Sequence, residues 1–335
     1  MSSRADRRVA VVVPNWNGAS FLGATLEALA AQTCPATEVI VVDNGSTDGS
    51  ADLLARDFPW VRVVRLARNS GFAGAANAGI DATDAGLVAV LNSDARPRPD
   101  WLQVLLAQPD DPTVWAWGSV LVDPNGTVES AGDHYSPRGY AFKLGRGMQL
   151  DDLPPTPYGV IAPPGAAPLM RRRVLQQLDG YAERFFLYYE DVDLSLRALL
   201  AGYHAVLVPD AVVEHDMGRS SRRRSRPWFY IGRNSLWCAV RCLPDVPVRT
   251  LARRSRQEWR TARGRGAGAA YAAGRLAGVL GLPWALATRH AIQAQRRVDA
   301  AALRAMFTNP PIPAVPVAAS THPAAVAAST HRVAP

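Results

Sequence analysis

Short runs of β-branched residues recur through the first hundred positions, and a helical pattern follows each of them. "VAVVV" (9–13), "EVIVV" (38–42), "VRVVRL" (61–66) and "LVAVLN" (87–92) predict strands. Residues 20–32, 46–58 and 71–83 between them predict helices or helix starts. This alternation predicts an α/β chain, a doubly wound, mostly parallel sheet with helices on both faces. The strands are apolar throughout rather than at every second position, as a sheet covered on both faces requires. Ligands of such sheets bind beyond the carboxyl ends of the strands. Those ends are Asn15-Trp16-Asn17-Gly18, Asp43-Asn44-Gly45-Ser46, Arg68-Asn69 and Asn92-Ser93-Asp94.

The segment 115–165 is rich in Pro and Gly and predicts strands with a long loop, part of a substrate pocket. Residues 219–305 read as helical and arginine-rich, and from Asn309 the Ala/Pro texture predicts disorder. Charge divides the 335 residues unevenly. Positions 1–216 carry a net −9, whereas 217–335 carry +17. A basic C-terminal third suits a polyanionic surface, either nucleic acid or an anionic membrane. Lys143 is the only lysine, so compositional bias contributes to the arginine excess. Three cysteines do not make a disulfide framework and fit a reducing cytoplasm. No signal peptide is visible. "LAGVLGLPWALAT" (276–288) is shorter than the roughly 20 residues of a membrane span. It is long enough to lie in an interface, and Trp237, Trp259 and Trp284 are scattered around it.

Several motifs carry chemistry. Asp43 ends a strand, where a carboxylate can accept hydrogen bonds from a nucleoside; Ser46, Thr47 and Asp48 fit helix capping. "PNWNGAS" after the first strand is not the dinucleotide fingerprint, which argues against a dehydrogenase. "NSGFAGAANAG" (69–79) permits close approach of a ligand or tight helix–sheet packing. Asn92 and Asp94 point the same way on an extended segment, as oxygen ligands of Mg2+ or Mn2+ or as parts of a turn. In "FFLYYEDVDLSLRALL" a helix from Glu190 puts Val192, Leu196, Leu199 and Leu200 on one face. Glu190, Asp193 and Arg197 share another, which reads as a solvated stripe. Asp191 lies off that stripe, and the aromatic run before it would raise its pKa as a general base requires. His215 stands between Glu214 and Asp216.

Six ordered blocks, "VVVPNWNG", "VIVVDNGSTDGS", "NSGFAGAANAGI", "LNSDARPRPDWL", "GAAPLMRRRVLQQLDGYAERFFLYYEDVDLSLRALLAGY" and "HDMGRSS", together resemble family 2 glycosyltransferases of the GT-A fold. The likeness is strongest to the bacterial rhamnosyltransferase-like branch, and it covers about 9–221. It implies a catalytic domain at 1–221, with a nucleotide-sugar half at about 9–100 and an acceptor half at about 101–221. A helical extension at 222–308 and a disordered tail at 309–335 would follow. The resemblance makes Asp191 the catalytic base, and Asp94 and His215 contacts to a Mg2+ or Mn2+ on the donor diphosphate. Asp43 would contact the base or ribose. Pro14, Asn15, Asn17, Asn44, Ser46, Gly71, Asn77, Asn92 and Ser93 are the further candidate donor contacts. Phe186, Tyr189 and Glu190 are the candidate acceptor site. Asn92 stands where the family has the first aspartate of Asp-x-Asp, and Ala182 replaces an acid of the "GYAERFF" block. The implied activity is inverting transfer from a nucleotide-sugar, with rhamnose among the candidate sugars, to a glycan or lipid-linked acceptor in cell-envelope polysaccharide synthesis. From the charge, the apolar stretch and the tryptophans, residues about 219–305 are expected to make peripheral contact with the inner, cytoplasmic face of an anionic plasma membrane, the alternative being a helical subdomain packed on the catalytic core. The alternative is a non-enzymatic binder of nucleic acid or an anionic surface through "SSRRRSRPWFY" (220–230); nucleic acid is the less expected partner.

Overall fold

The computed structural model describes residues 8–216, 225–246 and 248–312. Residues 313–335 of the tail, most of "HDMGRSS" and the arginines at 222–224 lie outside these residues, whereas 309–312 are described and Ile312 is buried in the core, so the expected disorder does not begin at Asn309. The first half runs β1 (Val9–Asn15), α1 (Ala19–Ala30), β2 (Glu38–Asp43), α2 (Ser50–Asp57), β3 (Arg62–Arg65), α3 (Gly71–Asp81) and β4 (Leu87–Val90). These follow the predicted boundaries closely. β1 lies between β2 and β4, parallel to both, with Asn15 opposite Asp43 at its end. Val11, Val12, Ile40, Val41, Val88 and Val90 are fully buried, as a sheet covered on both faces requires. The small residues of α3 are explained here in part by packing. A Cβ on Gly79 would meet Val12 Cγ1 at 2.2 Å, so only glycine lets α3 lie this close to the sheet.

The chain continues through β5 (Ala95–Pro97), α4 (Trp101–Leu106), β6 (Val114–Val122), β7 (Val128–Ser130), β8 (Asp133–Ser136), β9 (Tyr140–Lys143) and β10 (Tyr158–Val160). It then forms β11 (Leu169–Arg171), α5 (Arg172–Gln177), α6 (Glu190–Leu200) and β12 (His204–His215). The sheet order is β3-β2-β1-β4-β11-β6-β12-β10, with β5 on β12 and β7 on β6. β11 is antiparallel to both its neighbours, whereas β6 and β12 are parallel. The segment read as irregular therefore begins with a central strand: all nine residues of β6 are buried. Its Trp115 and Trp117 carry the apolar weight that the Pro and Gly count obscured.

The C-terminal helices are α7 (Arg226–Cys242), α8 (Val248–Gly264), α9 (Gly268–Leu280), α10 (Leu282–Ala294) and α11 (Ala300–Thr308). They extend the core rather than trail from it. Trp237, Cys238, Leu303 and Phe307 share one buried cluster with Phe185, Val192, Leu196 and Leu200. This overturns one expectation. Glu190, Asp193 and Arg197 are not a solvated stripe: every residue of α6 except Asp191 is buried. Helix α7 covers that face. Arg197 Nε donates to Asp193 Oδ2 at 2.8 Å, and its other nitrogens donate to the carbonyls of Leu178 and Gly180. Arg241 of α7 lies 3.3 Å from Asp193 Oδ1. Breaking such a buried pair costs about 3–5 kcal/mol, because one charge is left uncompensated.

Candidate active site

The strand ends form a polar edge. Asp43 is buried, and its Oδ1 accepts from Ser46 N at 3.1 Å. Ser46 Oγ accepts from Asn17 N at 3.0 Å and from Asn15 Nδ2 at 3.4 Å. Asn17 Oδ1 accepts from Thr47 N at 2.8 Å. Asn15, Asn17, Asp43 and Ser46 thus make one cluster, with Pro14 half-buried behind it. Asn15 Oδ1 is buried against Gly18 with no partner among the described residues. Trp16 is 42% exposed on this edge, with the Arg226 guanidinium 5.6 Å from its ring centre. Asn44 and Asn77 are committed elsewhere. Asn44 accepts from Ser70 N at 2.8 Å and donates to Gly71 O at 3.0 Å. Asn77 exchanges hydrogen bonds with both backbone groups of Tyr181, at 2.8 and 2.9 Å. Both amides hold backbone around the edge rather than facing out of it.

Beyond β4, Asp94 and His215 meet. His215 Nε2 lies 3.3 Å from Asp94 Oδ1 and 3.2 Å from Asn92 Nδ2, while Nδ1 lies 2.7 Å from Glu129 Oε2. Ser93 follows Asn92, and its carbonyl accepts from Thr25 Oγ1 at 2.8 Å. Glu129 also pairs with Lys143. Burial alone would lower the His215 pKa, but hydrogen bonds to Asp94 and Glu129 outweigh it and hold the ring up to about 9. Burial would raise Glu129, yet Lys143 and His215 bring it down to about 2. The β12–β5 pairing sets this arrangement, since it joins His215 to Ala95, next to Asp94. Among the described residues, no group of three or more His, Cys, Asp and Glu converges as a closed metal site. One carboxylate, one imidazole and the Asn92 amide make an open set, which suits a cation shared with a diphosphate.

The loop before α6 is under strain. Phe186, Tyr188 and Tyr189 have φ of 67°, 67° and 71°, left-handed values that non-glycine residues seldom adopt. Such residues cost about 1–3 kcal/mol each and persist only where the surroundings over-determine them. Here the surroundings come from two sides. Asn234 of α7, fully buried, donates through Nδ2 to the carbonyls of Phe185, Leu187 and Tyr188 at 3.0, 2.9 and 2.6 Å. Arg233 donates to Phe185 O at 2.7 Å. From the donor half, Phe72 N donates to Phe186 O at 2.7 Å, directly after Gly71 opens α3. The Phe186 ring stacks on Tyr230, with centroids 5.4 Å apart.

The loop delivers Glu190 and Asp191 to the start of α6. Asp191 Oδ1 accepts from Val192 N at 2.8 Å, and a Cβ on Gly165 would meet its Oδ2 at 2.4 Å. Glycine at 165 therefore leaves room for the carboxylate. Asp191 is the one half-buried residue of α6, yet the loss of water around its carboxylate raises its pKa. Burial, with the Asp191 charge added, raises the Glu190 pKa well above the usual carboxylate range, and its Oε2 has no partner among the described residues. The two tyrosines separate. Tyr189 packs into the core formed with the C-terminal helices. Tyr188 lies between the two acid groups: burial, Glu190 and Asp94 together push its phenol up to about 12. Asp191 lies against Gly165, and the next residue, Ala166, accepts from Asn92 N through its carbonyl at 2.9 Å, which places the base candidate near the Asp94–His215 end of the sheet.

Sequence pattern alone did not single out Glu129, Asp133, Lys143, Tyr188 or Asn234. The first two lie in "VESAGDHY", where acids interrupt an otherwise buried pair of strands, the one signal available. Burial, with the Asp191 charge beside it, pushes Asp133 up to about 7, against the pull of Lys143. The folded chain therefore keeps a proton that the unfolded chain, near pKa 3.9, has lost. Stability is expected to fall as pH rises from about 4 to about 7, by at most about 1.4 kcal/mol per pH unit from this group. Urea unfolding of the wild type and Asp133→Asn across that window checks it. Curves that stay parallel would show that Asp133 titrates normally.

Comparison with known proteins agrees with this geometry. The family model described as "Glycosyl transferase family 2" matches residues 10–178. The N-acetylglucosaminyl-diphospho-decaprenol L-rhamnosyltransferase of Mycobacterium tuberculosis is 31% identical over 240 residues, covering 64% of this chain and 77% of that protein. The pre-mycofactocin glycosyltransferase of the same organism is 31% identical over 233 residues, 68% of this chain and 46% of that protein. Among solved structures, the mannosyltransferase PcManGT from Pyrobaculum calidifontis, in complex with GDP-Man and Mn2+, matches with a TM-score of 0.50 at 22% identity. It covers 90% of this chain and 79% of its own. S. aureus TarS 1-349 in complex with UDP-GlcNAc gives a TM-score of 0.51 at 18% identity, over 73% and 71%. These structures share the GT-A fold with the present sheet. By sequence match and fold together, the chain belongs to glycosyl transferase family 2.

Proposed function

We propose that this glycosyltransferase moves a sugar from a nucleotide-diphosphate donor to a hydroxyl of a lipid-linked glycan, with inversion. The observation that carries the reading is the convergence of the Asp43 edge, the Asp94–His215 pair and the Asp191 carboxylate. The mycobacterial relative's name supports rhamnose as the sugar and a polyprenyl-diphosphate glycan as the acceptor. Asp43, at the end of β2, accepts hydrogen bonds from the nucleoside. Asp94 and His215 hold a divalent cation, and Glu129 orients the imidazole through its other nitrogen. An imidazole among oxygen ligands favours Mn2+ over Mg2+. When bound, the cation neutralises the leaving diphosphate. To ligate it, His215 gives up the proton it holds between two carboxylates. Asp191 takes the proton of the attacking hydroxyl, which the raised pKa assists. Glu190 and the Tyr188 hydroxyl face the acceptor sugar as hydrogen-bonding groups.

Thermal-shift titration with UDP, GDP and dTDP, with and without Mn2+ or Mg2+, tests the reading. A diphosphate selected by the site stabilises the fold by mass action. Asp94→Ala is expected to remove the Mn2+ enhancement of diphosphate binding, a loss of about tenfold or more in affinity. Full retention of that enhancement in the variant would place the cation elsewhere.

A further inference from the structure

The outer face of α9 is apolar from end to end. Ala269, Ala272, Ala273, Leu276, Val279 and Leu280 point outward, with no charged residue among the fully exposed positions of the helix. Leu276 is 62% exposed and Leu280 is 74% exposed. Leu286 of α10, 56% exposed, is a further outward leucine on the helix that follows Gly281. A helix on a water-facing surface normally turns polar residues outward. Here the arrangement is reversed at one corner, and the inward side of the same stretch holds Trp284 and Ala285.

Charge surrounds the strip. Helix α8 packs beside α9, joined by Tyr271 Oη to Glu258 at 2.7 Å and by Arg275 to Ser255. Its exposed face carries Arg249, Arg253, Arg256, Arg260 and Arg263, with Trp259 38% exposed among them. On the other flank Leu286 borders a groove of about 480 Å³ that His290 and Arg296 also line. No helix among the described residues is long and apolar enough to cross a membrane, so insertion must be shallow.

We propose that the α9–α10 corner seats in the interface of an anionic lipid bilayer, with Leu276, Val279, Leu280 and Leu286 among the acyl chains and the α8 arginines against the headgroups. An apolar strip flanked by cations is the pattern of interfacial helices. A second copy of the chain fits worse. A two-fold contact would set the same arginine-rich flank against itself, and like charges would oppose it. Each arginine near an anionic surface contributes about a fivefold gain in binding, weakened by salt. Trp237 and Trp284, expected from sequence as interface anchors, take no part: Trp237 is buried and Trp284 packs beside it. Docking of this kind would bring the site to a lipid-linked acceptor, but it is independent of turnover.

The test uses the full chain without donor or metal. Co-sedimentation is measured with phosphatidylcholine vesicles and with vesicles that also contain phosphatidylglycerol. The expected result is binding to the anionic vesicles that falls as NaCl is added and is weak on phosphatidylcholine alone. Leu276→Glu/Leu280→Glu should weaken it by about tenfold or more. Arg256→Glu/Arg260→Glu should weaken it as well, while thermal unfolding of both variants stays close to wild type. Absent vesicle binding, or wild-type binding by the leucine variant, overturns the proposal. So does light scattering that shows a dimer which the leucine variant converts to monomer, since the strip then belongs to a second copy.

Discussion

Asp191→Asn is expected to lower transfer by about 10²–10⁴-fold while donor affinity changes less than about twofold. The effect is large because the change removes the proton acceptor and little else. Asparagine is nearly isosteric, so it fits the space left by Gly165, and its amide oxygen can still accept from Val192 N. The strand ends that face the nucleoside are untouched. Burial opposes the charge on Asp191, so its neutralisation should leave stability equal or slightly higher. Single-turnover rates measured with saturating donor separate chemistry from binding. Turnover near the wild-type rate would assign the proton to another group, with Asp133 the next in reach.

Asn234→Leu should have the second largest effect, although Asn234 lies on a C-terminal helix. Its Nδ2 is shared by three carbonyls of the 185–188 segment, and nothing else described supplies a donor to Leu187 O or Tyr188 O. Leucine has a similar volume and offers no hydrogen. The carbonyls lose their partner at a cost of about 1–3 kcal/mol, and left-handed Tyr188 and Tyr189 lose what holds them. Asp191 then shifts by a fraction of its own bond length or more, and misplacement near 1 Å costs about 10²-fold in rate. The expected signature is kcat down about 10²-fold, diphosphate affinity nearly unchanged, and urea stability reduced by about 2 kcal/mol. Reduced stability with normal kcat would show that the contact supports the fold but not the position of the base.

The alternating strands and helices were legible because β1 up to Pro14, β4 and the middle of β2 are unbroken apolar runs, and nothing distant is needed to read that. The places of Asp94, beyond a strand end, and of Asp191, at a helix start, were legible for a different reason: both are local features. The nature of α6 was not. Helical spacing placed Asp193 and Arg197 on one face, which is correct, but could not say that Arg241 and the Leu178 carbonyl would cover it. A buried ion pair and an exposed one share the same spacing. Glu129 escaped notice because its partner His215 is 86 residues away and the two meet only through the sheet. Asn234 escaped because one asparagine in an arginine-rich helix looks like surface until the strained loop beneath it is seen.

The joint grip on the 185–189 segment also bears on how relatives can exchange parts. The loop hangs from α3 on one side, through Phe72, and from α7 on the other, through Asn234. A crossover placed between β12 and α7 would pair one parent's loop with the other parent's clamp. Transfer of the loop in its strained form is therefore tied to a longer block than the sequence motifs mark out, one that runs through Cys242 at the end of α7. Within that block the aromatic loop and the asparagine form one hydrogen-bonded unit, so a substitution in either is expected to need a compensating one in the other.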